Sequence, residues 1–407
     1  MIKKIAVKQL RTGMHVSDFN AGWLEHPFVL NSMKIDTDEQ IAKVLASGVK
    51  ELFIDTDRGL DVGDAPTREE AAAVIERQLE RVAETEKPAA PERQISLAEE
   101  MSRAKNTFTD ATKIIRGVMD DVRLGRQIEL GTSKAIVEKI TNSVVRNSNA
   151  MMTMRRLKSM DDYTFLHSVS VCTMLTTFAR AVDMDVATIH DVALGALLHD
   201  VGKMRVNLAL LNKPSKLSEE EFRHMKSHVV LGSDLLRQMS GVPKMAFEPL
   251  ELHHERFDGS GYPNGLKGME ISQVGRMSAI VDVYDAITSD RCYHTPLTPA
   301  DAIRKLFEWS KFHFDPALVQ IFVKSVGIYP IGTLVRLESG RLGIVIEQRE
   351  NNLLTPVVRV VFDAKRDYYI APEDLDLSKA MGAGGADKIV GHESPAKWKI
   401  DVSRFMQ

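Results

Sequence analysis

Residues 192–203 read VALGALLHDVGK, an apolar run of helical character that ends in His199 and Asp200 and passes through a glycine to Lys203. An imidazole and a carboxylate at the end of a helix supply two ligands for a divalent metal at one point of the chain. A surface histidine followed by a helix-capping aspartate would give the same dipeptide. The surrounding sequence therefore has to decide between a metal site and an ordinary helix end.

Helical periodicity surrounds this stretch from about residue 96 to residue 326. The spacing of Ser96 and Glu99 is that of a capping box, which predicts that the first of these helices begins there. The apolar positions that follow recur mostly at helical spacing. We therefore predict a mainly α protein in which a helical connector, residues 96–154, precedes an all-helical core domain, residues 155–326.

Segments of a different character flank the helices. Residues 1–64 mix short β-like runs with one helical pattern, which predicts a small α+β domain with a regulatory role. Residues 65–95 predict a helix and then a linker, because Pro88 and Pro91 cannot continue a helix. Residues 327–407 contain alternating β-branched runs between Gly or Asn turns, which predicts a C-terminal antiparallel β appendage and tail.

Composition excludes several functions. The 407 residues, 44% hydrophobic and 27% charged, are typical of a globular protein of several domains. The net charge of −3 provides no overall positive field for a nucleic-acid duplex or an anionic membrane. The apolar runs are far shorter than the roughly 20 residues that span a bilayer, so we predict a cytoplasmic protein. Two cysteines without CxxC spacing indicate that any metal is held by histidines and carboxylates.

Histidines are concentrated in the helical region, where seven of the twelve lie between residues 167 and 254. His253, His254 and Glu255 end another helical run, and a loop rich in glycine follows them as far as Leu266. Neighbouring helical side chains diverge by about 100°, so these two histidines cannot both face one apolar stripe. Either one of them is idle or both reach into a site. Other histidines are expected to be polar surface or loop residues: His15, His26, His190, His294, His313 and His392.

Three polar residues on apolar stretches complete a candidate ligand set. His167 and His228 share helical faces with leucine and valine side chains. Asp282 lies in the run Ile280–Tyr284, where an unpaired carboxylate would be costly to bury. Each of the three alone is more often a satisfied polar residue of a core. Their occurrence together with His199 and the paired histidines favours a metal site.

In chain order these residues resemble the HD-GYP family, the cyclic di-GMP phosphodiesterases within the HD superfamily. The resemblance covers residues from about 155 to 325, and the HD pair, the HHE element and the Gly261–Pro263 loop carry it. The residues before about 130 resemble an N-terminal domain of unknown function that is often attached to this family. For the core, the resemblance implies a helical HD-superfamily domain.

Carried over residue by residue, the resemblance implies a site for two divalent metal ions. One ion would have the ligands His167, His199, Asp200 and Asp282. The second ion would have the ligands His228, His253 and His254, with Asp200 bridging the two. Some members of the family add a glutamate one helical turn before the first histidine and bind a third ion, but this chain has Tyr163 there and Asp162 beside it.

The ligand types and the resemblance together predict the chemistry. Sets rich in imidazole suit iron, manganese, zinc or nickel better than calcium or magnesium, and the resemblance favours iron or manganese. Two such ions about 3.5–4 Å apart would clamp a phosphodiester and generate hydroxide at neutral pH. The predicted reaction is attack of a metal-bridging hydroxide, which opens cyclic di-GMP to linear pGpG and continues to GMP.

The resemblance also assigns roles around the metals. Asp200 and Lys203 would be the catalytic residues, with Lys203 in contact with the scissile phosphate. A lysine that only stabilises the end of a helix would occupy the same position. Candidate contacts to the rest of the substrate are Arg256, Tyr262, Lys267 and Arg291.

Two other functions remain open at this point. A non-catalytic cyclic di-GMP receptor could signal through the N-terminal domain, and an HD-superfamily nucleotidase could act on other nucleotides. The complete ligand set argues against the first, and the HHE element and GYP loop argue against the second. Two further partners are predicted: diguanylate-cyclase domains at the Gly261–Pro263 loop, and a second copy of this chain along the long helices of residues 96–150.

Overall fold

The computed structural model describes most of the chain. The described residues are 1–20, 32–85, 95–157, 163–211, 213, 217–289, 296–349, 352–379 and 387–406. They divide into two compact units, of which the first contains Met1–Leu79 and Leu208–Met225 and the second contains the remaining described residues. The predicted linker at Pro88 and Pro91 lies outside the described residues, as does Asp162.

Helices dominate the described chain, as predicted. They are α1 (Asp38–Ala46), α2 (Arg68–Glu84), α3 (Leu97–Arg123), α4 (Leu130–Arg156), α5 (Tyr163–Ala181), α6 (Val186–Leu198), α7 (Leu208–Leu211), α8 (Glu219–Lys226), α9 (His228–Arg237), α10 (Phe247–Leu252), α11 (Gln273–Thr288), α12 (Pro299–Trp309), α13 (Pro316–Val326) and α14 (Pro395–Trp398). The capping box predicted at α3 is present, since the Ser96 hydroxyl accepts the backbone N–H of Glu99. No helix of the described residues is long and apolar enough to cross a membrane.

A four-stranded antiparallel sheet is the centre of the first unit, with the strand order β1-β4-β2-β3. Its strands are β1 (Ile2–Ala6), β2 (His15–Asp18), β3 (Met33–Lys34) and β4 (Glu51–Asp55). The apolar side chains of sheet and helix, among them Val16, Val44 and Leu52, form one buried core. Thr37 accepts the Gln40 N–H and thereby begins α1. The α+β prediction for this region is confirmed.

Helices α5 and α6 form the centre of the second unit. Every residue of Val192–Leu198 in α6 is buried, and α5 contacts α4, α6, α11 and α13. Helices that are apolar nearly all round are stable only when neighbours cover them. The end of α6 that carries His199 is therefore held inside a packed core.

Helix α4 is interrupted at Asn147, whose φ of −162° and ψ of 101° are those of extended backbone. The Asn147 side chain donates to the carbonyl of Ile95 and accepts the N–H of Asn149. These side-chain bonds satisfy backbone groups near the break. Beyond it the helix resumes and brings Arg155 into its last turn.

The C-terminal residues form a five-stranded antiparallel sheet with the order β8-β7-β6-β5-β9. Its strands are β5 (Leu334–Leu337), β6 (Arg341–Glu347), β7 (Val357–Asp363), β8 (Tyr368–Asp376) and β9 (Ile389–His392). The predicted β appendage is confirmed, and its alternating runs coincide with β5, β6 and β7. The edge strand β8 lacked that signal because most of its side chains are exposed on both faces.

Candidate metal centre

Five histidines and two aspartates from separate helices meet inside the second unit. They are His167 of α5, His199 and Asp200 at the end of α6, His228 of α9, His253 and His254 after α10, and Asp282 of α11. Six of the seven are buried, and His254 is partly exposed. The predicted ligand residues therefore lie together, although up to 115 positions separate them in the chain.

His167, His199 and Asp282 form one group of donor atoms. The Nε2 atom of His167 lies 3.1 Å from Oδ1 of Asp282 and 3.3 Å from Nε2 of His199. The Nε2 atom of His199 lies 3.8 Å from the same Asp282 oxygen. Three ligand atoms so close together could hold one metal ion.

His228, His253 and His254 form the second group. The Nε2 atoms of His228 and His253 are 3.4 Å apart. The ring of His254 is 4.0 Å from that of His253 and 5.1 Å from that of His228, measured between centroids. Both neighbouring histidines of the HHE element thus reach one site, which answers the alternative that one of them is idle.

Asp200 lies between the two groups. Its Oδ2 atom is 3.4 Å from Nε2 of His199 and 3.6 Å from Nε2 of His167. Its Oδ1 atom is 3.5 Å from Nε2 of His228 and 4.0 Å from Nε2 of His253. Among the described residues this buried Oδ1 atom has no hydrogen-bond partner. One carboxylate therefore offers an oxygen to each group, and a buried oxygen without a donor is what a cation would satisfy.

The local electrostatics favour the neutral forms of His199, His253 and His254 and the ionised forms of the two aspartates. At His167 burial is outweighed by hydrogen bonds with Asp282 and Asp285, which raise its pKa. Burial and the neighbouring imidazoles lower the pKa of His253 to about 3 and that of His254 well below its usual value. Burial alone would raise the pKa of Asp200, but Lys203 and the surrounding imidazoles outweigh it and hold the pKa well below its usual range. Burial is likewise outweighed at Asp282, chiefly by His167, so its pKa is also low. Metals bind deprotonated ligands, so the neutral imidazoles and the ionised aspartates suit a divalent cation.

Steric contacts require a glycine at position 202 of the HDVGK stretch. A Cβ atom at Gly202 would collide with the carbonyl oxygen of His228 and with the backbone N–H of Gly232. The turn at Val201–Arg205 can therefore pack directly against α9, which brings Asp200 and His228 together. Lys203 follows in the same turn, and its Nζ atom donates to Oδ2 of Asp200 at 2.6 Å.

Glu255 organises the loop that follows the paired histidines. Its buried carboxylate accepts the backbone N–H groups of Asn264, at 2.8 Å, and Leu266, at 3.0 Å. A Cβ atom at Gly261 would collide with the backbone of Glu255 and Arg256, so only glycine lets the loop fold back this closely. Sequence reasoning quoted Glu255 as part of the HHE element without giving it a role.

Tyr262 lies against the second group of histidines. Its backbone N–H donates to the carbonyl of His254 at 3.1 Å, and its ring stacks on the His254 ring at 4.5 Å and an interplanar angle of 27°. The Nζ atom of Lys226 lies over the Tyr262 ring, 4.9 Å from its centroid. Sequence reasoning missed Lys226, which lies two residues before His228.

The chain matches two family models and several known proteins. Residues 2–132 match the model of a domain of unknown function (DUF3391), and residues 142–318 match that of the HD domain. The cyclic di-GMP phosphodiesterase PA4108 of Pseudomonas aeruginosa is 40% identical over 402 residues, which cover 98% of this chain and 94% of that protein. This chain belongs to the HD-GYP family.

Two other relatives of this HD-GYP protein match over shorter stretches. A cyclic di-GMP phosphodiesterase of Thermotoga maritima is 35% identical over 165 residues, 40% of this chain and 45% of that protein. The 3′3′-cGAMP-specific phosphodiesterase 2 of Vibrio cholerae is 40% identical over 128 residues, 31% of this chain and 24% of that protein. The names of these relatives therefore include two different cyclic dinucleotides.

The other predicted substrate contacts of this HD-GYP protein have different surroundings. Arg256 donates to the carbonyl of Glu255 at 3.2 Å and lies over the Phe314 ring. Lys267 is exposed, and among its described contacts it meets Gly259 and Glu270 rather than the histidines. Arg291 lies outside the described residues.

The expectation that His15 is a surface or loop residue was wrong. His15 is only 6% exposed, because β2 lies between β4 and β3 in the sheet. Two other histidines outside the cluster approach carboxylates: His392 is 2.8 Å from Asp301, and His313 is 3.6 Å from Asp258. His26 and His294 lie outside the described residues.

Proposed function

We propose that this HD-GYP protein is a metal-dependent phosphodiesterase that hydrolyses cyclic di-GMP to linear pGpG and pGpG onward to GMP. The observation that carries the proposal is the position of Asp200, which offers one carboxylate oxygen to each of two groups of ligand atoms. The substrate is proposed from the relative that is similar over nearly the whole chain and is named a cyclic di-GMP phosphodiesterase.

The residues of the cluster fit a pair of divalent ions. We propose that the first ion has the ligands His167, His199, Asp200 and Asp282, and that the second has the ligands Asp200, His228, His253 and His254. The Oδ1 atom of Asp200, which has no hydrogen-bond partner among the described residues, and the lowered pKa values of His253 and His254 support this assignment. Bound there, the ions would neutralise the phosphate and supply a nucleophile at neutral pH. The imidazole-rich donor set suits iron, manganese, zinc or nickel, and the family resemblance favours iron or manganese among them.

The remaining residues would bind and orient the substrate. Lys203 is 21% exposed and its ammonium lies beside Asp200, so it can donate to a non-bridging phosphate oxygen as negative charge builds up there. The ring of Tyr262 offers a stacking face for a guanine beside the second group. Burial chiefly lowers the pKa of His254, and Arg256 is near enough to add to that effect. We propose that this nearby cation binds the substrate's second phosphate. Lys267 and Arg291 remain proposed contacts on the strength of the resemblance alone.

The experiment is anaerobic turnover of cyclic di-GMP by protein loaded with Fe(II) or Mn(II), with pGpG and GMP separated by chromatography. Asp200→Ala should abolish turnover and metal binding. Asp234→Ala, an exposed aspartate on α9, is the matched control and should leave both unchanged. Accumulation of pGpG without GMP would contradict the second step alone.

Substrate choice is tested in the same assay with 3′3′-cGAMP as competitor. A larger kcat/KM for cyclic di-GMP than for 3′3′-cGAMP supports the proposal. A larger value for 3′3′-cGAMP would instead assign this chain the activity for which the Vibrio cholerae relative is named. Protein that holds two metals and binds cyclic di-GMP without hydrolysing it would instead be a receptor. Turnover of other nucleotides with cyclic di-GMP ignored would favour a nucleotidase.

Two partner proposals follow from the resemblance. Diguanylate-cyclase domains would dock on the Gly261–Pro263 loop, which a pull-down with Tyr262→Ala as the negative variant would test. A second copy of the chain would pair along α3 and α4. Light scattering of the full chain measures that state directly, and a monomeric mass would contradict it.

A further inference from the structure

Three histidines of the cluster have partners of two different kinds at Nδ1. His199 donates its Nδ1 proton to the carbonyl of Ala196 at 2.8 Å, and His253 donates to the carbonyl of Pro249 at 2.9 Å. Both acceptors are backbone atoms of the helix that carries the histidine. His167 is different, because its Nδ1 atom lies 2.8 Å from Oδ2 of Asp285, a side chain of another helix.

Asp285 is itself fixed by a buried ion pair. The Nε atom of Arg155 donates to Oδ1 of Asp285 at 3.0 Å, and Nη2 of Arg155 donates to the Thr288 hydroxyl at 2.7 Å. The side chain of Asp285 is fully buried and that of Arg155 is 3% exposed. A buried carboxylate that accepts hydrogen bonds on both oxygens keeps one orientation.

Helix α11 therefore carries both a ligand residue and its support. Asp282 and Asp285 are three positions apart and lie on one face of the helix, and both contact the His167 ring, Asp282 at Nε2 and Asp285 at Nδ1. Because Nδ1 of His167 faces Asp285, its Nε2 atom is turned toward Asp282, at 3.1 Å, and Asp200, at 3.6 Å. Arg155 comes from α4, which contributes no side chain to the ligand groups among the described residues.

We propose that Asp285 and Arg155 are positioning residues that set the metal affinity of the His167 group and leave that of the His228 group unchanged. The proposal rests on the metal site of the proposed function, and not on the identity of the substrate. Carboxylates that orient a metal-binding histidine change affinity by about 10- to 100-fold when they are removed. The backbone anchors of His199 and His253 do not depend on either residue.

Asp285→Asn is the most direct test of the proposed role of Asp285. The amide has nearly the same shape, but it carries no charge, and its NH₂ group would face either Arg155 or the Nδ1–H of His167. Asp301→Asn is the matched control, because Asp301 also pairs with a histidine at 2.8 Å, outside the cluster. Arg155→Lys keeps the positive charge but loses the planar guanidinium that donates to both Asp285 and Thr288. It should therefore weaken metal binding less than Asp285→Asn does.

The measurement is Mn(II) binding to the full chain, by isothermal titration and by the EPR signal of bound Mn(II), with near-ultraviolet circular dichroism as the check on folding. Wild type and Asp301→Asn should bind two ions. Asp285→Asn should bind one ion with unchanged affinity and the other about 10- to 100-fold more weakly, and excess Mn(II) should restore the spin-coupled signal of the pair.

Two results would overturn the inference: unchanged binding of both ions, or equal weakening of both. If Asp285→Asn does not fold, Arg155→Lys decides by the same criterion. If the wild type binds two ions but does not hydrolyse cyclic di-GMP, the proposed function is contradicted and this inference is not. A wild type that binds none would overturn both.

Discussion

Gly202 lies against the carbonyl of His228 so closely that no Cβ atom fits between them. The contact joins the turn after Asp200 to the first residue of α9. A residue without a side chain therefore sets the separation between the two groups of ligand atoms. Packing at this point is as important for the candidate metal centre as the ligands themselves.

Gly202→Ala should destabilise the protein and weaken metal binding. The added methyl group would push α9 away, and overpacking of this kind costs about 1–3 kcal/mol. Denaturant unfolding of metal-free protein measures the stability change, and metal analysis measures occupancy. Gly117→Ala is the control, since nothing lies within 4 Å of its Cβ position. That variant should gain about 0.5–1 kcal/mol in helix α3. Wild-type stability and occupancy in Gly202→Ala would show that the backbone relaxes without loss.

Divalent metal should raise the melting temperature of the native chain. A ligand at 100 times its Kd stabilises by about 2.7 kcal/mol, which corresponds to a shift of roughly 5–10 °C for a domain of this size. Scanning calorimetry of chelator-treated protein with and without Mn(II) measures the shift. Asp200→Asn removes the charge that both groups share, so most of the shift should disappear. An equal shift in that variant would place the stabilising ion elsewhere.

Glu255→Gln should loosen the loop of residues 258–266. A glutamine would present an NH₂ group to one of the two backbone N–H groups that Glu255 accepts, and an unmet buried donor costs about 1–3 kcal/mol. Hydrogen exchange should become faster in this loop, and KM for cyclic di-GMP should rise more than kcat falls. Glu251→Gln, which alters an ion pair of α10 with Arg237, should leave loop exchange unchanged. Unchanged protection from hydrogen exchange in Glu255→Gln would mean that the loop keeps its conformation without the Glu255 carboxylate.

Glu100 should make stability depend on pH through the contact of α3 with α4. Burial alone would raise the pKa of Glu100, but hydrogen bonds from Arg146 and Ser143 outweigh it and hold the pKa below its usual value. A lowered folded-state pKa gives stability that is complete above the unfolded value of 4.5 and is lost as pH falls through the folded value.

Glu100→Gln should therefore lose about 1–3 kcal/mol at pH 7. The difference from wild type should shrink as the pH falls below the unfolded-state pKa. Urea unfolding at several pH values tests this, with the exposed Glu138→Gln on α4 as control. If the difference in unfolding free energy between Glu100→Gln and wild type does not depend on pH, the destabilisation comes from the altered shape of the side chain rather than from the loss of its charge.

The clustering of the residues proposed as ligands was predictable because their residue types are rare in apolar helices and occur as short local patterns. The HD pair and the HHE element are each contiguous, and buried polar residues such as Asp282 stand out in an apolar run. The strands β5, β6 and β7 were predictable for a similar reason, since each is a short and largely apolar run next to turn residues. Strand β8 was not, because an exposed edge strand carries no burial pattern.

The support of the site was not predictable in the same way. Arg155 and Asp285 are 130 positions apart, and no local pattern around either residue indicates that the two form an ion pair. The spacing of Asp282 and Asp285 was a usable signal, because residues three apart share a helix face. The sequence by itself determined the helical class, which depends on local composition and spacing, and its motifs were enough to indicate the family and the proposed ligands. Only the tertiary structure decided which oxygen of Asp200 faces which histidines and which carboxylate orients His167, because those relations depend on how α4, α5, α9 and α11 pack.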